Sequence, residues 1–232
     1  GSPDIVLTGT IGYGAFYNCG GLTGTITIGE GVTAVGGDAF RNCGGITAVH
    51  YNAVNAADIG EYSGRPFQGC GGTLEIGEAV ERIPNYMFCY AAFTGDLVIP
   101  DAVTEIGFRS FFQCTGFDGS LVIGDGLTTI GAGTFEGCTG FTGDLVIGNG
   151  VTTIGERAFE GCTGFTGDLT LGANVATIGN YAFNNCTGFA GELTLPASMG
   201  SVGNDAFSNC SGLTGSPDIV LTGTIGYGAF YN

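Results

Sequence analysis

The chain has 232 residues, of which 47 are glycine, and its 21 acidic residues against five arginines give a formal net charge of −16. This balance argues against DNA, RNA and anionic membranes as partners, because binding to phosphates requires clusters of Lys or Arg. No apolar run reaches the roughly 18 residues of a membrane-spanning helix, so membrane insertion is not expected. The glycines lack a Gly-X-Y period, which excludes collagen.

A unit of about 24 residues repeats along the chain. One clear copy, residues 143–167, reads GDLVIGNGVTTIGERAFEGCTGFTG. A phenylalanine marks the register in every copy: Phe16, Phe40, Phe67, Phe88, Phe111, Phe135, Phe159, Phe183, Phe207 and Phe230. One such unit cannot bury its apolar face alone, whereas stacked units form a continuous core. The period therefore predicts a solenoid.

Each coil divides into four parts. In residues 144–148 the alternation of Leu145 and Ile147 with polar or outward residues predicts a half-buried strand, which the following Asn-Gly turns. Residues 151–154 predict a second short extended segment. ERAFEGC resembles one short helical or 3₁₀ turn that buries Phe159 and Cys162, and TGFTG returns the chain to the next strand. Strands of successive coils should pair in parallel, about 4.8 Å apart.

The run L-x-I-G/P-x-x-V-T-x-I-G-x-x-A-F-x-x-C resembles the BspA-type leucine-rich repeats of microbial surface proteins, over essentially the whole chain. The resemblance implies a mainly β, right-handed leucine-rich-repeat solenoid with short parallel strands and short helical or 3₁₀ turns. It also implies an extracellular or cell-surface protein with a role in adhesion and binding. The repeat motif encodes the scaffold, so no binding residues carry over from the family.

Eight of the nine cysteines lie three residues after a marker Phe: Cys19, Cys43, Cys70, Cys114, Cys138, Cys162, Cys186 and Cys210. Cys89 is out of register, and Ala91 occupies the ladder position in that coil. A once-per-coil Cys that Ala can replace is expected to be a reduced, buried packing residue. Disulfides are the sharper alternative, but stacked Cβ atoms near 5 Å apart exceed the required ~3.8 Å. A metal site is a further alternative, although zinc needs clustered ligands.

Catalytic chemistry has few candidate groups in this sequence. His50 is the only histidine, so a Cys–His or Ser–His nucleophile could use no other base. The glycines follow the repeat period rather than a phosphate-binding spacing. We therefore expect no enzymatic activity, no catalytic residues and no cofactor.

Residues 47–95 depart most from the repeat, with marker spacings of 27 and 21 residues. Insertions in solenoids often lie on the binding face. The residues of the irregular 47–70 coil that could contact a ligand are His50, Tyr51, Asn52, Asp58, Glu61, Tyr62 and Arg65. The alternative is that the irregular coil only sets twist or curvature.

One coil position carries a row of carboxylates: Asp96, Asp144, Asp168 and Glu192, with Ser120 in the gap. Neighbours about 5 Å apart repel by about 1 kcal/mol in water. Salt or Ca²⁺ should therefore stabilise the solenoid by screening the row. A dedicated calcium site is less expected, because calcium takes six to eight oxygen ligands.

A longer repeat overlies the short one, since residues 1–18 recur unchanged at 215–232. We interpret residues 1–214 as one unit of about nine coils and 215–232 as the start of an identical unit, although the sequence does not distinguish a natural array from a designed overlap. Neither end carries a polar cap, since both present the same apolar residues: Ile5, Leu7, Ile11 and Phe16, and again Ile219, Leu221, Ile225 and Phe230. Neighbouring copies are therefore expected to join end to end.

Two functions fit this sequence. The first is a structural or adhesive extracellular solenoid, a segment of a long tandem-repeat surface fibre or stalk. The alternative is a recognition module that binds a host or microbial surface protein or a glycan through the strand face and the irregular 47–70 coil. The outward strand row is small and has no aromatic residues, which favours the first function: Thr27, Val98, Val122, Val146, Thr170 and Thr194.

Overall fold

The computed structural model describes residues 4–215 and 223–232, so the predicted end residues Ile219 and Leu221 lie outside the described part. The described residues form a parallel β-solenoid of about nine turns, spaced about 24 residues apart. This confirms the predicted repeat solenoid.

The first three coils contribute one strand each and the later coils two, and these strands build two sets of parallel sheets. The strands of the first set lie in three sheets. The first sheet contains β1 (Ile5–Ile11), β2 (Gly24–Val35), β3 (Ile46–Tyr51) and β4 (Thr73–Ile76). The second contains β6 (Leu97–Ile99), β8 (Leu121–Ile123), β10 (Leu145–Val146) and β12 (Leu169–Thr170), and the third contains β14 (Gly191–Leu193) and β16 (Leu213–Gly215). The second set is a seven-stranded sheet: β5 (Arg82–Ile83), β7 (Glu105–Ile106), β9 (Thr129–Ile130), β11 (Thr153–Ile154), β13 (Thr177–Ile178), β15 (Ser201–Val202) and β17 (Thr224–Ile225).

The strand pairing keeps equivalent residues side by side. Val122 pairs with Val98 on one side and Val146 on the other, one coil away in each direction. Leucines and isoleucines of these strands are buried while the central valine is about half exposed, as the alternation predicts. Equivalent positions therefore form continuous rows along the solenoid.

The turn around each marker Phe differs from the expected helical or 3₁₀ turn, since the described residues contain no helix. Near Phe159, three N–H groups close β-turns onto the carbonyl three residues earlier: those of Ala158, Glu160 and Cys162. The alternating N–H groups instead donate to the following coil at 2.8–2.9 Å: those of Arg157, Phe159 and Gly161. A helix would consume all of these donors internally, whereas this turn uses half of them to hold the next coil.

This turn has a left-handed backbone two residues before and two residues after the marker Phe, except in the Phe67 coil, where Gly64 takes the first left-handed position. Around Phe159 these residues are Arg157, with φ of 56°, and Gly161, with φ of 72°. Asn occupies the second position in the coils that follow, at Asn185 and Asn209, both with φ of 59°. Gly and Asn enter this region most readily, which explains part of the Gly and Asn content of the chain.

The marker phenylalanines stack into one ladder through the core. From Phe16 to Phe230, consecutive rings lie 5.0–5.5 Å apart, and most are nearly parallel. A second ladder, which the sequence interpretation did not assign to the core, contains Phe93, Phe117, Phe141, Phe165 and Phe189. These rings come from the return segment and are fully or almost fully buried. Two aromatic ladders therefore fill the interior.

The cysteine ladder lies beside the marker ladder. Each buried ladder thiol donates a hydrogen bond to the carbonyl of a marker Phe in the preceding coil, as Cys162 does to Phe135 at 3.1 Å. The expected burial is confirmed for seven of the eight ladder cysteines but is wrong for Cys19, which is exposed in the first coil. All nine cysteines are free thiols. Burial raises the pKa of Cys70 and of Cys210 to about 12, so these groups stay protonated at neutral pH.

The left-handed turn can be tested at Gly161. A Cβ added there would meet no atom nearer than the Cα of Gly137 at 3.9 Å, so backbone strain is the dominant cost. We expect Gly161→Ala to lower the free energy of unfolding by about 1 kcal/mol. Gly161→Asn should cost clearly less, because Asn occupies this turn position in the next two coils. Urea unfolding measures both variants, and equal losses for Ala and Asn would contradict the turn assignment.

Candidate binding surface

The strand face carries one polar pair from the irregular segment. The outward row passes from Thr27 through His50 and Glu75, which are directly paired on neighbouring strands. His50 Nε2 lies 3.3 Å from Glu75 Oε2, and both side chains are accessible to solvent. The imidazole of His50 is therefore accessible to a ligand on the strand face, beside the small side chain of Thr27.

Tyr51 must be reassigned from contact candidate to core residue. Its side chain is fully buried, between Ile28 and Ile76 in strand register, and its ring packs edge-on against Phe88 at 5.3 Å. Its hydroxyl finds no hydrogen-bond partner, and burial raises its pKa far above the usual value. A ligand at the surface does not reach this side chain.

Asn52 is tied to a neighbouring coil through its backbone, and Asp58 through its carboxylate. The N–H of Asn52 donates to the carbonyl of Ile28 at 2.8 Å. Asp58 Oδ1 accepts hydrogen bonds from Arg82 Nη2 at 2.5 Å and from the N–H of Asn85 at 2.9 Å. Burial alone would raise the pKa of Asp58, but these hydrogen bonds outweigh burial, and the pKa is lowered. Asp58 therefore joins its coil to the next coil.

Glu61, Tyr62 and Arg65 lie before and within the turn of Phe67. Tyr62 is 95% exposed, whereas the guanidinium of Arg65 stacks over the Tyr86 ring at 4.7 Å. The N–H of Arg65 donates to Asp38, and its Nη1 donates to the carbonyl of Glu61. The seven candidates thus divide among the strand face, the core, the second sheet and the turn side. The structure does not bring them together into one site.

The turns form a ridge along the solenoid that sequence reasoning did not identify as a binding surface. We call the residues within three positions of the marker phenylalanines the turn ridge. It holds four of the five arginines, Arg41, Arg65, Arg109 and Arg157, together with most of the tyrosines. Several of its aromatic side chains are strongly exposed, including Tyr13 at 72% and Tyr227 at 87%. Variation from coil to coil around the constant marker Phe was the available signal.

Stacked side chains organise the middle of the turn ridge. The Arg109 guanidinium lies 4.6 Å from the Phe112 ring centre and 5.2 Å from that of Phe108. Arg157 stacks on Tyr181 at 4.6 Å, and cation–π contacts of this kind hold the guanidinium in place. Between these two arginines the small residues Ala132 and Gly133 leave a shallow cleft of about 180 Å³. The cleft combines an aromatic wall with fixed polar groups.

Glu136 lies in the cleft between the two arginines. Its Oε2 accepts a hydrogen bond from Arg109 Nη2 at 3.3 Å. Burial raises the pKa of Glu136, and the positive charge of Arg109 opposes that shift. Arg157 pairs with Glu156 at 3.4 Å and with Glu160 at 2.6 Å. Local charges are therefore largely compensated, so the cleft is polar without being strongly cationic.

The acidic row is partly anchored by the backbone. Asp144 Oδ1 accepts a hydrogen bond from the N–H of Asp168 at 2.8 Å. Asp96 accepts hydrogen bonds from the backbone N–H and the hydroxyl of Ser120, which lower its pKa. Glu192, the last member, is exposed. One oxygen of such a carboxylate joins two coils, while the negative charge remains accessible to solvent.

The described residues offer neither a metal-binding cluster nor a membrane-spanning helix. Among residues 4–215 and 223–232, no three His, Cys, Asp or Glu side chains converge in a way that could hold a metal ion. Stabilisation of the acidic row by Ca²⁺ therefore stays a prediction of charge screening. The same part of the chain contains no helix that could span a bilayer.

The comparison with known families covers nearly the whole solenoid. A sequence model described as the BspA type leucine rich repeat region matches in six copies over residues 9–142 and 128–232. The chain belongs to the BspA-type leucine-rich repeat family. No curated protein matches the chain.

Three solved structures are similar to this BspA-type repeat protein. A leucine rich repeat protein of T. pallidum is 23% identical, with a TM-score of 0.53 over 84% of this chain and 78% of that chain. A leucine-rich repeat protein from Bacteroides ovatus is 18% identical, with a TM-score of 0.35 over 97% and 84% of the two chains. A leucine rich cell surface protein from Faecalibacterium prausnitzii is 18% identical, with a TM-score of 0.31 over 97% and 87%. The first likeness supports the fold of this BspA-type chain.

Two substitutions of Asp144 separate the charge of the acidic row from its hydrogen bonds. Asp144→Asn keeps an acceptor oxygen for the N–H of Asp168 but removes one negative charge. We expect it to raise Tm slightly at low salt and to weaken the response to NaCl, because repulsion along the row falls. Asp144→Ala loses the acceptor as well and should lower Tm. Thermal unfolding at low and high salt measures both, and equal, salt-independent losses would contradict this account.

Proposed function

We propose that this BspA-type chain is a non-enzymatic, extracellular adhesive and structural solenoid, one segment of a long tandem-repeat fibre or stalk at a cell surface. Its family resemblance to microbial surface proteins supports the location. Its outward strand rows consist of small, repetitive side chains, which suits multivalent contact over a long surface. Its ladder thiols are buried except for Cys19, and its single histidine faces Glu75 on the strand face, an arrangement that offers little for catalysis.

The observation that carries this proposal is the behaviour of the duplicated segment. Phe16 stacks on Phe40 at 5.0 Å, with 7° between the rings. Phe230, the same residue of the second copy, stacks on Phe207 at 5.5 Å, with 5° between the rings. One sequence thus extends the marker ladder at either end of the unit. A following unit can continue the ladder in the same register without a change in core packing.

A second candidate function is recognition of a protein or glycan by a defined site. The turn ridge favours it, because exposed tyrosines and stacked arginines are the residue types that dominate binding energy at protein surfaces. The strand face and the His50–Glu75 pair remain a smaller candidate surface for the same function. Recognition and adhesion are compatible, since a fibre presents each ridge many times.

The fibre is tested by electron microscopy of the native material. Nine coils at about 4.8 Å each predict an axial repeat of roughly 43 Å. Filaments with that repeat, carrying the same epitopes in every unit, would support the proposal. Compact single particles from a gene that encodes one unit only would refute the fibre and would leave recognition as the remaining candidate.

A further inference from the structure

The cleft of the turn ridge is a gap one coil wide. The three coils around it carry these pairs at the third and second positions before the marker Phe: Phe108 and Arg109, Ala132 and Gly133, Glu156 and Arg157. The N–H of Arg109 donates to the carbonyl of Ala132, and that of Gly133 to the carbonyl of Glu156, so the small pair lies between the two large ones. Coils about 4.8 Å apart leave room there for one layer of ligand.

The size of the cleft limits what can enter it. Its volume of about 180 Å³ is below the roughly 300–1,000 Å³ of pockets that hold drug-sized ligands. The cleft therefore suits a single ring that belongs to a larger molecule.

The walls of the cleft are held in place by the protein itself. The rings of Phe108 and Tyr86 pack edge to face, 5.4 Å apart, and Phe108 stays 39% exposed. A Cβ added to Gly133 would lie 2.9 Å from Cγ of Arg109, so glycine is needed for the Arg109 side chain to cross this coil. The Arg157 guanidinium is held by a stacked aromatic ring. A ligand therefore has few side chains to order, which lowers the entropic cost of binding.

The polar lining has no net charge, but it is divided into donors and acceptors. It contains two arginines, whose guanidinium groups only donate, and two glutamates, whose ionised carboxylates only accept. An anion in the cleft would face the carboxylates, and a cation would face the guanidinium groups. An aromatic side chain would cover these charges without hydrogen-bonding to them, which is costly. A hydroxyl both donates and accepts, so a ring with neighbouring hydroxyls satisfies both kinds of group.

We propose that this cleft binds one neutral pyranose ring of a glycan. The apolar face of the sugar packs against Phe108, and its hydroxyls hydrogen-bond to Glu156 and Arg157. The ion pairs of Arg157 use Nε and Nη1, so Nη2 can donate to the sugar. The inference rests on recognition by the turn ridge, the second candidate function, and gives that function a ligand class and a site outside the strand face and the irregular 47–70 coil.

Ala132 provides a matched pair of variants. Ala132→Phe fills the cleft with the residue that the preceding coil carries at this position, so the coil tolerates it, whereas Ala132→Ser leaves the cleft open. We expect saturation-transfer NMR to detect binding of at least one of lactose, maltotriose, mannobiose and chitobiose to the parent chain and to Ala132→Ser. Ala132→Phe should lose that binding while its thermal unfolding stays close to that of the parent chain.

Glu156→Gln tests the same site without filling it. The side chain of Glu156 is 55% exposed, so the substitution leaves the core intact. We expect the Kd of the bound sugar to rise by about tenfold, because hydrogen bonds to a charged group are stronger than those to a neutral amide. If none of the four sugars binds, or if Ala132→Phe and Glu156→Gln both bind as tightly as the parent chain, the proposal is overturned.

A mucin-coated surface separates this inference from the function on which it rests. Periodate cleaves the neighbouring diols of the mucin sugars, so adsorption of the parent chain should be lost after periodate and should be weak for Ala132→Phe. Adsorption that survives both treatments would show recognition of protein by another surface, which overturns the glycan site but keeps recognition. Soluble sugar that binds in the cleft without any adsorption to mucin would support the site and count against recognition as the function.

Discussion

Coils are held together by N–H groups that leave the marker turn at alternate residues, a pattern that the Phe67 turn keeps only at Gly69. In the other turns this arrangement imposes two left-handed residues and directs the marker Phe between them into the core. The thiol of the next coil then bonds to the carbonyl of that Phe, as Cys162 does to Phe135. A single local geometry therefore sets the backbone register, the aromatic ladder and the cysteine ladder together.

The same geometry leaves the outer side chains of the turn free to vary. Position −2 relative to the marker holds residues as different as Arg109, Gly133 and Tyr181 without a change in the coil. Contacts between neighbouring coils dominate such a solenoid, so surface variation in one coil has little effect on distant coils. The turn ridge can therefore acquire aromatic and arginine residues while the scaffold stays constant. The adhesive role that we propose would use many such ridges.

Much of the scaffold could be predicted from the sequence, because the period and the alternation of Leu145 and Ile147 report inward-facing residues directly. The turn could not, since the spacing of Ala158, Phe159 and Cys162 fits a helical turn equally well. Its true geometry depends on donors that find partners in another coil, which is a tertiary property.

The candidate contact residues were harder to predict. Their position within the irregular segment was the only criterion for selecting them, and it selected both the exposed Tyr62 and the buried Tyr51. The strand register with Ile28 and Ile76 shows that Tyr51 faces inward. Phe141 and its equivalents were missed as core residues because glycines surround them in a segment interpreted as a return loop. Their strict recurrence was the available signal.

The stacked, buried marker ladder holds the coils in register. The most direct test compares the free energy of unfolding of Phe159→Ala with that of Phe108→Ala, a ridge phenylalanine that is 39% exposed. We expect a loss of about 3–5 kcal/mol for the buried ring, in a chain that remains a solenoid by circular dichroism. For the exposed ring we expect a loss below about 1 kcal/mol. Equal losses at the two positions would show that the buried ladder does not hold the coils in register.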